Sequence, residues 1–485
     1  MEVARIPSPN LSRRLDFLYD YPHYCTEQVT SCAMPLLFVP TFREVDKKEG
    51  EAIKANVRRA VQNLYSRQLP SGAFVYWPGN GHEDEWVTSY VGCFLTQARE
   101  KGYDVNAGAL SRWKAYQRRA AQSWRPGQKT GGRYVYNQSD FVQAYRLYSL
   151  ALAGSPELGA MNRLRESKTL SMQARWSLAA AYALAGKPDV ASKLVFKLPV
   201  TVTPYAPSNP TYGSSDRDMA MILEALVLMK RDREAFAQAR SVSRSLELDR
   251  TLTTQSTACA LAALGRLAER TSGSLLFSWT VNGAVQPKVN STRAVYRSEL
   301  PLRSLPGMLT LKNEGRGQLF VTLTTKVVPL RDSLPAVEQN IKLDVTYTDA
   351  DGQREDILAL RRVALKQGTD LVAVIKVTNT QAATDLTNLA LTQIVPSGWE
   401  IYNERLVMPE DTESGASATT YTYRDIRDDR VLTYFDLKRG ETKVFRVRLQ
   451  ASYAGVFVLP AVQCGAMYDN SVQARTRAAR VTVER

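Results

Sequence analysis

The hydrophobic pattern of this 485-residue chain changes character once, near residue 273. Before that point apolar residues recur at i, i+3, i+4 and i+7, the spacing of one face of a helix. The spacing predicts helices over Glu51–Gln68, Glu83–Lys101, Ala107–Ser123, Asp140–Ala153, Met172–Ala185, Asp216–Lys230, Arg233–Leu248 and Thr254–Arg270. Turn signals lie between them: Leu69-Pro70-Ser71-Gly72, the glycine-rich stretch from Trp124 to Arg133, Ala185-Gly186-Lys187-Pro188 and Ser208-Asn209-Pro210. Ser215 and Asp216 suit a helix N-cap. About ten helices on short loops, with no strand between them, imply helical hairpins, which close into an α/α toroid or stack as a solenoid. No crisp repeat is visible, which favours the toroid.

After residue 273 apolar and polar residues alternate, which predicts strands. They fall at Leu275–Val281, Thr292–Leu300, Met308–Lys312 and Gln318–Val327, with Asn282-Gly283 and Glu314-Gly315 as turns. Others follow at Ile341–Tyr347, Asp370–Val377, Leu386–Ile394, Val431–Leu437, Glu441–Gln450 and Gly455–Pro460. Short strands at this spacing indicate a β-sandwich. The expected class is therefore multidomain α+β, in three parts. Residues 1–272 form a helical domain with a short N-terminal linker, 273–335 a partial β-domain and 336–485 a terminal β-sandwich. The middle part is too short to be complete and reads as a sheet whose other strands come from elsewhere.

Composition removes several alternatives. Hydrophobic residues make up 44% and charged residues 23%, a balance that excludes disorder and collagen-like repeats. No run of about 18 apolar residues exists, so no transmembrane segment is expected. Lys and Arg number 63 against 48 Asp and Glu, a net charge of +15. The excess admits nucleic acid, a polyanionic sugar or a membrane face as partner. The cations are scattered along the sequence, however, without a basic stripe interleaved with aromatics, so a soluble basic surface and no nucleic-acid partner are expected. Five cysteines include no C-x-x-C pair, and the two histidines, His23 and His82, are too few for a histidine-rich metal site. No metal or cofactor is expected. The first nine residues lack the basic start and apolar stretch of a secretory signal. Either the protein is cytoplasmic or Met1 is not the natural start.

The segment that carries chemistry runs Tyr21-Pro22-His23-Tyr24-Cys25-Thr26-Glu27-Gln28-Val29-Thr30-Ser31. In a turn entering a helix, side chains at i and i+3 share a face. The Cys25 sulfur then reaches the Gln28 side-chain carbonyl. Displacement of the amide nitrogen by sulfur gives an internal thioester and releases ammonia. A helix N-terminus stabilises thiolate, which favours sulfur first as nucleophile and later as leaving group. Such a bond lasts only while dry, so apolar or aromatic neighbours are required.

The wider context resembles the thioester region of the bacterial alpha-2-macroglobulin family. After Tyr-Pro-x-x-Cys-x-Glu-Gln comes the turn Met34-Pro35-Leu36. Leu69 to Pro78, followed by Trp86-Val87-Thr88-Ser89-Tyr90-Val91, is similar to the family's Gly-aromatic loop and next helix. Ala179 to Lys187 and Thr253 to Leu264 resemble two later helices, and Arg424 to Val431 with Ala466 to Thr476 resemble its last macroglobulin domain. The matches run in collinear order over almost the whole chain. The resemblance implies an α/α toroid thioester domain inserted in a CUB-type β-domain, of which 273–335 would be the second part. It further implies that the first part of that domain, the other macroglobulin domains and a protease-cleaved bait region precede residue 1. A complete member would lie in the periplasm or cell envelope.

The implied function is covalent entrapment of proteases, a single use rather than enzymatic turnover. A protease lysine attacks the Gln28 carbonyl and Cys25 leaves as thiol. Glu27 matches the motif in a supporting role, or simply faces the positive end of the helix. Tyr24, Tyr76 and Trp77 are the shielding candidates, although aromatics at such positions more often serve a plain core. Family members that favour hydroxyls use a downstream histidine, and neither His23 nor His82 falls there, so amine preference is expected. His82-Glu83-Asp84-Glu85 reads as a helix start rather than a metal cluster. Two other readings remain open. One is a polysaccharide-degrading enzyme, since toroids followed by sandwiches also occur there, although no spaced carboxylate pair can be placed. The other is a scaffold in which Cys25 and Gln28 stay unlinked.

Overall fold

The computed structural model describes all residues except 8–10, 20, 22, 80, 127–138, 169, 206–210, 248–251, 272, 301–306, 326–333, 351–363 and 403–419. The chain falls into two compact units, Met1–Lys326 and Val327–Arg485. The described helices all lie in the first: α1 (Leu11–Tyr19), α2 (Thr26–Ala33), α3 (Val39–Phe42), α4 (Lys47–Tyr65), α5 (Glu85–Glu100), α6 (Ala107–Ser123) and α7 (Ser139–Leu152). They continue with α8 (Leu158–Arg165), α9 (Met172–Leu184), α10 (Pro188–Leu194), α11 (Ser215–Leu228), α12 (Asp232–Glu247) and α13 (Thr254–Arg270). Among the described residues no helix is long and apolar enough to cross a membrane.

The helices pack in two layers, and their sequences show which layer each occupies. Contacts run from α2 to α5, α7, α9, α11 and α13, and from α13 back to α2, closing a cycle. Five others lie outside it: α4 on α2 and α5, α6 on α5 and α7, α8 on α7 and α9, α10 on α9, and α12 on α11 and α13, while α1 packs on α2 and α13, and α3 on α13. An outer helix buries one stripe, as α4 does with Ile53, Val57, Ala60, Val61 and Leu64. An inner helix is covered all round, and α5 is buried without interruption from Trp86 to Ala98. Close approach between the layers requires small residues. A side chain at Gly92 would run into the Trp113 indole, 2.0 Å from its Cβ. Some buried polar groups pair across the two layers. The Trp113 indole N–H donates to the Thr88 carbonyl at 2.8 Å, and Gln117 bridges the Ser89 hydroxyl and the Arg146 guanidinium.

Several helix boundaries differ from expectation for local reasons. The turn at Ala185 to Pro188 ends α9 and also starts α10, because Pro188 fits a first helical position. The cap of α11 is Ser214, not Ser215 or Asp216, which lie in its first turn. The expected turn at Ser208-Asn209-Pro210 and most of that at 124–133 lie outside the described residues.

The first unit also holds seven described strands. They are β1 (Glu2–Ala4), β2 (Leu275–Val281), β3 (Ala284–Val285), β4 (Val289–Ser291), β5 (Val295–Arg297), β6 (Leu309–Asn313) and β7 (Phe320–Thr322). Strand β1 is the middle of a three-stranded antiparallel sheet, with Val3 opposite Tyr296 on one side and Val321 on the other. Residues 2–4 are thus not a linker. They supply one of the strands that 273–335 lacks, which corrects the expectation that every such strand precedes residue 1. Strand β2 pairs with β3, β4 and β6, and Asn282-Gly283 turns the β2–β3 hairpin with φ of 50° and 79°. Met1, Val3, Leu275, Phe277, Trp279 and Val289 form the core of this β region.

In the second unit a six-stranded sheet, in the order Tyr423–Ile426, Arg430–Leu437, Leu386–Ile394, Gln463–Ala466, Gln473–Arg475 and Val337–Gln339, is antiparallel throughout. A four-stranded antiparallel sheet is built on Thr442–Ala451, Thr369–Asn379 and Ile341–Asp349. Leu343, Ile375 and Val377 of the smaller sheet share a core with Leu389, Leu391 and Phe435 of the larger. A three-stranded sheet includes Ala479–Glu484 and Gly455–Leu459.

Candidate functional site

Cys25 stands at the N-cap of α2 with φ −63° and ψ 165°, so the backbone is extended up to the sulfur and helical after it. The cap is reciprocal. The Gln28 backbone N–H donates to Cys25 Sγ at 3.4 Å, and the Cys25 backbone N–H donates to Gln28 Oε1 at 3.1 Å. The sulfur and the side-chain amide are thereby held together one helical turn apart, as the spacing predicts. Cys25, Glu27 and Gln28 are all at 0% exposure. The carbonyl that sulfur would attack already has its oxygen on a backbone N–H, where negative charge would develop.

The loop before α5 clamps this end of α2. Thr26 N–H donates to the Tyr76 carbonyl at 2.9 Å, and its hydroxyl donates to the Val75 carbonyl at 2.6 Å. The Arg67 guanidinium donates to the same hydroxyl at 3.2 Å. Gly72 permits the loop's tight path, with φ +97° and a Cβ position 2.2 Å from the Arg112 carbonyl oxygen. Of the three shielding candidates, Trp77 is buried at 2% and packs edge-on against Tyr76 at 5.4 Å. Tyr76 stacks on Tyr212 at 4.8 Å. Tyr24 is exposed at 47%.

Glu27 faces along the inner layer. Ser31 Oγ donates to its carboxylate at 2.5 Å, and Thr254 Oγ1 of α13 lies 3.1–3.2 Å from both oxygens. Because the Ser31 hydroxyl has one proton, given to Glu27, the Tyr90 hydroxyl of α5 donates to Ser31 at 2.9 Å. Glu27 therefore ties α2 to both of its inner-layer neighbours. Sequence reasoning singled out Glu27 but not Ser31, Tyr90 or Thr254. The available signal was the polar run Thr253 to Thr257 opening an otherwise apolar helix.

Asp84 caps α5, accepting from the Val87 N–H at 2.8 Å and from the Tyr212 hydroxyl at 2.5 Å. Burial pushes its carboxyl up to about 6. His82 and Glu83 are exposed, so the His82 to Glu85 segment is a helix start in the structure. Among the described residues no cysteine is in a disulfide. Burial, with lesser contributions from Glu27 and Cys25, pushes the Cys32 thiol far above its usual range, which keeps it protonated and unreactive.

Residues 341–470 match the family described as the bacterial alpha-2-macroglobulin MG10 domain. Across nearly the full chain, two curated relatives align. Alpha-2-macroglobulin of Pasteurella multocida is 24% identical over 94% of this chain and 24% of its own length. Alpha-2-macroglobulin of Escherichia coli is 25% identical over 95% of this chain and 28% of its own length. These matches support the bacterial alpha-2-macroglobulin family. The chain spans about a quarter of the length of these curated relatives. The fold agrees with native Escherichia coli alpha-2-macroglobulin from domain MG7 to the C-terminus, with a TM-score of 0.78 and 20% identity over 100% of this chain and 77% of that one. A Salmonella alpha-2-macroglobulin solved after reaction with methylamine gives 0.78 and 21% over 100% of this chain and 31% of that one.

Proposed function

We propose that Cys25 and Gln28 form an internal thioester and that the chain is the reactive and terminal portion of a broad-spectrum protease inhibitor. The observation that carries this reading is the reciprocal Cys25–Gln28 cap, fully buried inside a closed cycle of helices. Formation joins Cys25 sulfur to the Gln28 side-chain carbonyl carbon, releasing the amide nitrogen as ammonia with the thiol proton. In use, a lysine amine of a target protease adds to that carbon, the C–S bond breaks, and an amide and the Cys25 thiol result. The site is consumed once and has no turnover.

In this reading the closed helical cycle is an α/α toroid, and the β1–β7 region is CUB-type. Trp77 and Tyr76 keep the bond dry, and Tyr24 lies at the outer margin of the same site. Protease cleavage in the bait region of the inhibitor would trigger exposure, and the periplasm or cell envelope is the setting. The methylamine reaction of the Salmonella relative is the same amine chemistry and supports the assignment.

Intact mass of freshly purified protein is expected to show the loss of one ammonia, and methylamine is expected to add once. Cys25→Ala should abolish both. An unmodified mass with an alkylatable Cys25 would mean a scaffold without the crosslink, and methylamine labelling that survives in Cys25→Ala would refute the residue assignment.

A further inference from the structure

Charge is unevenly shared along the chain. Residues 101–200 hold 16 Lys and Arg against 5 Asp and Glu, so this stretch contributes +11 of the total +15. The cations are spaced apart in sequence, but several of the described ones meet on the outer layer. The stretch forms α6, α8 and α10, successive outer helices, and α6 packs on α8. Helix α6 contains no acidic residue, and its Arg112, Arg118 and Arg119 are exposed. Arg165 of α8 and Lys168 just beyond it are exposed as well. Outer helix α12 is different: three acidic residues there balance three arginines.

The cations crowd one another. Burial, and then repulsion from Arg99 and Arg118, holds the Lys114 ammonium below the ordinary lysine range. Arg118 has a counter-charge in Glu157 at 2.6 Å. Apolar side chains stand among these charges. Leu158, opening α8, is 41% exposed, and Phe196, just after α10, is 72% exposed with the Lys197 ammonium 5.3 Å from its ring centre. The aromatic residues of α6, Trp113 and Tyr116, are buried and offer no platform for stacking bases.

We propose that the outer face of α6, α8 and α10 docks on the surface of an anionic phospholipid bilayer. The guanidinium and ammonium groups meet headgroup phosphates, while Leu158 and Phe196 reach the boundary of the acyl region. Each cation contributes modestly and additively, so the surface binds reversibly and loosens with salt. The inference is independent of the thioester.

The test is co-sedimentation of the 485-residue chain with phosphatidylcholine vesicles, with and without phosphatidylglycerol, over a range of salt. Binding is expected only to the vesicles containing phosphatidylglycerol, weakening as salt rises. The triple variant Arg112→Glu, Arg119→Glu, Arg165→Glu should weaken it at least about tenfold, whereas Arg233→Glu on α12 should leave it unchanged. Equal binding to both vesicle types overturns the proposal, as does a folded triple variant that binds like wild type. Tighter binding to a DNA duplex than to the anionic vesicles at the same salt also overturns it, assigning the face to nucleic acid instead. If the triple variant fails to fold, the wild-type lipid and salt comparison still decides.

Discussion

Helices α2 and α13 meet at Glu27, yet they begin differently. Helix α13 starts on Thr253, whose hydroxyl accepts from the Ser256 N–H at 3.1 Å. Asp46, Asp84, Asn106, Ser171 and Ser214 do the same for α4, α5, α6, α9 and α11. These are the residue types that helix starts prefer, because a small oxygen acceptor satisfies an orphan N–H. Helix α2 alone among them starts on a sulfur, a weak acceptor, and answers with the Gln28 side chain. Local stability gives no reason to choose cysteine at that position. The proposed chemistry between Cys25 and Gln28 does.

The sharpest way to break this contrast is Cys25→Ser. Methylamine labelling should fall to zero, while the thermal midpoint stays level or rises, because a hydroxyl is the better cap. A loss of stability as large as that of deleting an oxygen cap, about 1 kcal/mol, would show that the sulfur is structural. The next effect concerns Glu27, where α2 and α13 are joined. Glu27→Gln replaces a carboxylate acceptor of charge-assisted hydroxyl bonds and should cost about 2 kcal/mol in urea unfolding. An unchanged midpoint would mean that the carboxylate does not hold the two helices together.

A pH-dependent effect lies at the start of α5, where the cap is a half-buried carboxylate. Asp84 titrates near 6 when folded, against 3.8 for its ordinary value. The folded state therefore holds this proton more tightly than the unfolded one. The stability of wild type relative to Asp84→Asn should be highest below pH 4, fall as pH rises from about 4 to 6, and stay flat above. The total change is at most about 3 kcal/mol, read from urea unfolding of both proteins across that range. A constant difference from pH 4 to 7 would show that burial does not perturb the carboxyl.

Elements with strong periodicity and clear flanks were legible in the amino-acid pattern. Ala107–Ser123, Thr254–Arg270, Leu275–Val281 and Leu386–Ile394 have the bounds that their apolar spacing predicts. Short elements were not. Pro188 reads as a breaker until it is seen at the first position of α10, and Glu2–Ala4 is too brief to alternate. The Cys25–Gln28 pair was legible because its geometry is local, one turn of one helix. Its surroundings were not, because Ser31, Tyr90 and Thr254 converge on Glu27 only when three helices pack. The same holds for the cations of α6 and α8, which look dispersed until the fold places them side by side.

The position of β1 has a consequence for how the molecule comes into being. Its hydrogen-bonding partners lie about 300 residues later in the chain, and at roughly 5–20 residues per second a ribosome takes tens of seconds to deliver them. Throughout that interval Val3 lacks the two strands it pairs with, while the helices from α2 to α13 emerge in order. The Arg5 guanidinium later meets the Thr271 carbonyl at 2.6 Å, so the two ends of the helical part come to rest together. Assembly of the Cys25–Gln28 site can therefore run ahead of this sheet, which β5 and β7 complete only after the helices have emerged.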